Sequence, residues 1–351
     1  MLYPLFFFIK ILTFTHGFIN KDNKSYVRNK IDNRISNYKN ENMNNLLLSN
    51  KLYETKIVKK ISSISKLIRS DNIIPTLLLS FSGGWIMNPS ITNLIHSSAF
   101  IISNLNAVLI MSLSMILNDF FDIDVDKVNN PSRPLITGEI TKRDAVILTG
   151  FIFLAVEFLT NTYLPENIQF LTNLILFDIV LYTPIFKKIT FIKNFNCALI
   201  VSFSLFYSGL TVSPNNLLIS DKHYDILSVA INYIFWGSIN NELLMDISDV
   251  EGDRKNDIKT LPVVINRDRS LFLVHTILFL NTLSNASSLV YLYNNIQYGI
   301  IPVILYLPIF YDLLQVKKFA FSKHIIKKTL TNSMKPMVLF LLYMCVLSYQ
   351  I

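Results

Sequence analysis

A chain of 351 residues that is 51% hydrophobic and only 16% charged departs from ordinary soluble domains, in which roughly a quarter of the residues carry charge. Its net charge of +8 falls in loops between apolar runs rather than along a basic stripe, which excludes a nucleic-acid footprint and points to membrane topology. The two cysteines, Cys197 and Cys345, stand far apart in apolar runs and exclude both a disulfide framework and a cysteine-based metal site.

Residues 2–15 form an apolar stretch too short to span a bilayer comfortably, and an Asn-, Lys- and Ser-rich basic tract follows from about 20 to 60. Residues 1–64 read either as a targeting presequence, for a plastid or another organelle membrane, or as a disordered basic tail. They are set apart from the fold. From 65 to 351, windows of about 20 apolar residues give about nine spans, near 73–89, 95–117, 145–162, 168–186, 195–213, 225–245, 270–292, 296–314 and 333–351. The expectation is an all-α, polytopic membrane protein embedded in a lipid bilayer.

The connecting loops alternate in charge. The segment before the first span and the loops after the second, fourth, sixth and eighth carry Arg69, Arg133, Lys187, Lys193, Arg254, Lys317 and further basic residues, whereas the opposite loops carry one, Lys222. The first set therefore faces inward by the positive-inside rule. Two acidic clusters, Asn118–Asp126 and Asp246–Asp253, sit at the ends of apolar runs. Four spans separate them, and four crossings return the chain to the same side, so the two clusters can share one site.

Carboxylates inside a bilayer are costly, and at helix ends they are tolerated. Spaced three or four residues apart, they fall on one helical face and suit Mg²⁺, which binds a few carboxylates, keeps some water and completes its shell with phosphate oxygens. Two such clusters can grip one diphosphate. Asp124 lies off the repeating face and reads as solvated. Glu157 and Asp178 fall within expected spans; a hydrogen bond to a neighbouring helix is the reading for Glu157, while Asp178, one turn before Tyr182, either makes such a bond or shapes the acceptor end of a cavity.

The motifs extend further. Asn118, Asp119, Asp122 and Asp126 fit Asn-Asp-x-x-Asp-x-x-x-Asp and are followed by Asn129, Pro131, Arg133 and Pro134; Asp246, Asp249 and Asp253 fit Asp-x-x-Asp-x-x-x-Asp. In these residues the chain resembles the UbiA superfamily of intramembrane prenyltransferases, over roughly residues 65–351. The resemblance implies about nine transmembrane helices surrounding a central cavity. It also implies transfer of a prenyl group from an isoprenyl diphosphate to an aromatic or lipid acceptor, as in prenylquinone or isoprenoid-lipid biosynthesis. Asn118, Asp119, Asp122, Asp126, Asp246, Asp249 and Asp253 would be the catalytic, Mg²⁺-binding set. Lys127 and Arg133 are candidates for diphosphate contact, and Tyr182 with Lys187 or Lys188 resembles the family's Tyr-x-x-x-Lys element, with the first Lys one residue late. Acceptors suggested by the Asp-Val-Glu-Gly-Asp-Arg and Lys-Thr-Leu-Pro segments are homogentisate, a chlorophyllide or a glycerol phosphate ether lipid.

The alternative is a divalent-cation-dependent membrane transporter. Transporters place ionisable groups near mid-membrane on broken helices, whereas these clusters are terminal and on one face.

Overall fold

Long apolar runs with capping residues at their starts dictate helices throughout, and the computed structural model describes residues 58–212, 222–255 and 258–351. In chain order the helices are α1 (58–67), α2 (Ile73–Met87), α3 (Ile91–His96), α4 (Ser98–Phe121), α5 (Ile123–Asn129), α6 (Pro134–Thr137), α7 (Lys142–Tyr163), α8 (Glu166–Tyr182), α9 (Ile192–Val212), α10 (Lys222–Lys255), α11 (Leu261–Ile265), α12 (Arg267–Tyr293), α13 (Gln297–Lys318) and α14 (Lys323–Tyr349). No strand occurs among the described residues. Lys60–Ile351 form one unit. The expected presequence or tail lies outside the described residues as far as residue 57.

The helix starts are legible in the side chains. Ser97 accepts a hydrogen bond from the Phe100 amide ahead of α4, and Thr141 and Asp144 form a reciprocal capping box ahead of α7; each satisfies amides that the first helical turn leaves open. Among the described residues, each of the nine expected windows coincides with a helix. Six of these helices, α4, α7, α9, α12, α13 and α14, are long and apolar enough to cross a membrane by length and composition. The other three fall short in different ways. Helices α2 and α8 have 15 and 17 residues, fewer than the roughly 20 a bilayer core requires. Helix α10, at 34 residues, extends about 50 Å and mixes polar with apolar positions along its length.

The outer wall is apolar, with Phe151 of α7 and Phe272 of α12 each more than 70% exposed, as expected of a bundle that meets lipid rather than water. Helix α2 packs most extensively on α9, and α14 returns against α2. Gly83 permits the first contact: a Cβ there would stand 2.0 Å from the Leu205 carbonyl oxygen, so only glycine allows this approach. The return of α14 is pinned where the Trp85 indole donates to the Cys345 carbonyl at 3.1 Å and the Ser348 hydroxyl donates to the Ile86 carbonyl. These contacts bring the amino- and carboxy-terminal parts of the unit together.

Of the two ionisable residues expected within spans, Asp178 makes the bond to a neighbouring helix and Glu157, for which such a bond was expected, does not. Glu157 accepts from Asn161, on its own helix, at 3.1 Å. Asp178 accepts from Asn196 across the α8–α9 contact at 3.0 Å. A helix places i and i+4 side by side, so Asn161 satisfies Glu157 without help from a neighbouring helix.

Candidate active site

Helix α4 stops at Asp122, whose φ of −91° and ψ of 9° end one helix and begin the next. This break turns the chain between Asp119 and Asp126. Asp119 is 1% exposed and takes two guanidinium groups on one oxygen, Arg69 at 3.1 Å and Arg133. Its second oxygen is buried without a hydrogen-bond partner. Arg133 lies just before Pro134, which opens α6, and also reaches toward Asp126 at 3.8 Å. Arg69 occupies the left-handed region with φ 51°, uncommon for a residue with a side chain. Ser63 and Lys66 of α1 hold the preceding helix against Glu139.

The second cluster lies on an unbroken helix. Asp246, 2% exposed, is held by Lys193 and by the Asn194 amide at 2.8 Å, both from the first turn of α9. Asp253 accepts from Thr260 at 3.0 Å. Asp249 is exposed and meets Lys323 at 3.8 Å. The segment between α8 and α9 joins the clusters: Lys187, in a 3₁₀ turn, pairs with Asp122 and donates to the Asn118 side-chain oxygen at 2.9 Å, and a few residues later Lys193 and Asn194 take Asp246. The α8–α9 connection and the helical turn that follows it therefore contact both acidic clusters between them.

The remaining expected residues divide. Lys127 pairs at 2.8 Å with Asp124, and both side chains are largely exposed; the ammonium hydrogen bond holds the Asp124 carboxyl below the usual carboxylate range. Burial pushes the Asp126 carboxyl the other way, against the opposing effects of the Asn130 amide and Arg133. The Tyr182 hydroxyl is within 2.9 Å of the Cys197 sulfur. The Lys188 side chain lies outside the described residues.

Sequence reasoning treated Arg69 and Lys193 as topology charges alone and did not single out Asn194, Thr260 or Glu242. Glu242 stands inside an expected span, so the criterion that drew attention to Glu157 and Asp178 would also have found it. Asn194 and Thr260 carry no such signal, being common polar residues at helix and loop starts.

The acidic residues supply oxygen donors alone, the set that Mg²⁺ favours, and the second oxygen of Asp119, buried without a partner, is one such donor left unused. Among the described residues no group of three or more acidic, His or Cys side chains is close enough to hold a metal ion. The carboxylates are instead drawn to basic, amide or hydroxyl partners. An open groove of about 1200 Å³, lined by Lys222, Asp225, Val290 and Ile300 among others, lies at the opposite end of α10 and is separate from this constellation.

Residues 74–325 match the model of the UbiA prenyltransferase family. The chain belongs to this family. The enzyme class expected from the sequence, a prenyltransferase, is that of the family, and with its six apolar helices this UbiA protein is an integral, multi-pass membrane protein. It is 27% identical over 199 residues to the digeranylgeranylglyceryl phosphate synthase of Haloquadratum walsbyi, covering 57% of this chain and 66% of that protein, just under two thirds. It is 29% identical over 216 residues to the synthase of the same name from Sulfolobus acidocaldarius, covering 61% and 73%. Among solved structures, one of digeranylgeranylglyceryl phosphate synthase in membranes aligns with TM-score 0.60 at 21% identity over 83% of this chain and 99% of that one. A UbiA homologue from Archaeoglobus fulgidus, bound to GPP and Mg²⁺, aligns with TM-score 0.56 at 17% identity over 81% and 99%. At these identities the two structures establish the shared helical fold.

Proposed function

We propose that this UbiA-family protein transfers a prenyl group from an isoprenyl diphosphate to the hydroxyl of an isoprenoid glycerol phosphate lipid, in the presence of Mg²⁺. The observation that carries the reading is the short stretch from Lys187, in the α8–α9 turn, to Asn194, in the first turn of α9, that contacts both acidic clusters at one end of the bundle. Such an array suits a diphosphate–metal assembly. The carboxylates would hold the cations, and Arg69, Arg133, Lys187 and Lys193, now neutralised by carboxylates, would turn to phosphate oxygens. Heterolysis of an allylic C–O bond leaves charge on the diphosphate, and preorganised cationic groups lower that barrier.

Asn118, Asp119, Asp122 and Asp126 would hold Mg²⁺ on one side, and Asp246, Asp249 and Asp253 on the other. The metal would supply positive charge against the leaving diphosphate. Arg133 recognises phosphate through a planar fork, whereas Lys187 and Lys193 act as point charges. The apolar bundle excludes water from the allylic cation. In this reading α2, α8 and α10 also cross the membrane around the prenyl chain, giving nine spans and a central cavity.

The lipid acceptor is favoured over homogentisate or a chlorophyllide because synthases similar to this chain are named for such a lipid. Those relatives are archaeal and lend nothing to the organelle assignment of the N-terminal tract.

The test is an assay of the full chain reconstituted in vesicles with labelled geranylgeranyl diphosphate, Mg²⁺ and a panel of geranylgeranylglyceryl phosphate, homogentisate, 4-hydroxybenzoate, a dihydroxynaphthoate and chlorophyllide. The expected result is one labelled ether lipid whose formation stops with EDTA. A product with an aromatic acceptor alone would overturn the lipid assignment. No product at all, with folded protein that takes up divalent cations, would favour the transporter.

A further inference from the structure

Glu242 belongs to neither acidic motif. It lies on α10, one turn before Asp246, so the two carboxylates share a helical face, with Glu242 about 6 Å further into the bundle. A carboxylate at that depth is costly unless it has partners or a use. The cations nearest it are committed elsewhere, Lys193 to Asp246 and Lys187 to Asp122 and Asn118. Both remain near enough for their charge to act on it, and it shares a hydrogen bond with the Cys197 thiol, which in turn meets the Tyr182 hydroxyl.

Position and chemistry agree on a use. With a diphosphate held by the two clusters, a prenyl chain running into the apolar bundle would carry its first carbon inward of the phosphates, toward the level of Glu242, one turn beyond Asp246. Transfer to a hydroxyl acceptor releases the proton of the acceptor oxygen as that oxygen bonds to this carbon. The aspartates would hold cations and the lysines would hold phosphate oxygens, so neither is free to accept it.

We propose that Glu242 is the general base of the transfer reaction. This rests on the prenyltransferase reading above. The bond from the first prenyl carbon to the diphosphate oxygen breaks, and its electron pair leaves on the diphosphate. The acceptor oxygen bonds to that carbon, and its proton passes to the Glu242 carboxylate. The products are an ether, a diphosphate and a protonated Glu242, which returns its proton to solvent when the site opens. No oxidant or further reactant is required. Tyr182 and Cys197, linked to Glu242 from α8 and α9, fix the orientation of the carboxylate.

Four measurements on the full chain in vesicles test this: kcat, donor KM, the affinity of a non-transferable thiolodiphosphate donor analogue, and the pH profile of kcat. The groups surrounding Glu242 that could titrate or set its field are Lys187 from the 3₁₀ turn, Lys193 and Cys197 from α9, Asp246 on its own helix and, beyond Cys197, Tyr182 of α8. E242Q preserves shape and removes the base. It is expected to lower kcat about 100-fold or more, leave donor KM and analogue affinity within about twofold and abolish the acid limb of the wild-type profile. E242D, which keeps a carboxylate on a shorter arm, should recover part of the rate and restore the limb.

Wild-type kcat in E242Q would overturn the proposal. So would a loss confined to donor KM and analogue affinity, which would make Glu242 a residue that merely positions Lys187 and Lys193. If the wild type binds the analogue yet forms no product with any acceptor, the transferase reading itself falls and takes this one with it.

Discussion

The two acidic clusters share a spacing but are built differently. The first straddles a helix break at Asp122, and its innermost carboxylate, Asp119, is clamped by two arginines. The second runs along the uninterrupted α10, where Asp246 is held by a lysine and an amide, Asp253 by a threonine hydroxyl, and Asp249 only loosely by Lys323. Arginine cannot lose its charge and binds as a rigid fork, whereas lysine is a flexible point charge. The first cluster is thus the more rigidly charged half, and the second has more freedom to rearrange around a substrate.

Removal of a first-cluster carboxylate should have the largest effect. Asp122→Ala is expected to reduce prenyl transfer by about 10³-fold, or roughly 4 kcal/mol of transition-state stabilisation, with the protein still inserted and folded; labelled product in vesicles measures it. Near-wild-type turnover would break the assignment of that half to the reaction.

Exchanging the bases sharpens the comparison directly. Arg133→Lys should cost about 100-fold, because one ammonium cannot serve both Asp119 and Asp126 as the fork does, while Lys193→Arg should cost about tenfold, since Asp246 needs only a charge. Equal losses in the two variants would remove the distinction between the clusters.

Asp249→Ala separates exposure from function. Its loose partner predicts little change in thermal midpoint, but about a tenfold rise in the Mg²⁺ needed for half-maximal transfer if it joins the metal set, on the scale by which outlying ligand interactions tune metal affinity. An unchanged Mg²⁺ requirement would remove Asp249 from that set.

Asp126 offers a pH test. Burial raises its carboxyl above the ordinary range, so the native state binds more protons than the unfolded chain from about pH 3.9 up to the raised native value. Stability therefore falls as pH rises through that window and stays at the lower level above it. Asp126→Asn should flatten this dependence and leave the thermal midpoint at pH 7 equal or higher, as read by unfolding in detergent from pH 4 to 7. Lys127→Ala should have the smallest effect, with transfer within about twofold of wild type, because an exposed pair at i,i+3 contributes little.

How much of this was written in the sequence differs from element to element. Apolar windows anticipated each long helix, because burial in lipid demands an unbroken apolar run whatever its neighbours are. The break at Asp122 and the continuity of α10 were not legible: both segments end in aspartates at similar spacing, and only packing decides whether the helix carries on. Arg133 was found because it follows the first motif closely. Arg69 and Lys193 were not, since their partners lie tens of residues away; Glu242 was legible only as an ionisable residue inside an expected span, and its partner Cys197 was not.

The sequence by itself determined the class and the carboxylate spacing, and it set the expectation for sidedness. These follow from hydropathy, loop charge and the 3.6-residue helical repeat, each of which is local. The tertiary structure decided which base faces which acid, that the α8–α9 connection and the turn after it contact both clusters between them, and that Glu242 stands beneath Asp246 beside Cys197. Those facts depend on how distant helices pack, and contact between residues remote in the chain leaves no periodic trace in one sequence.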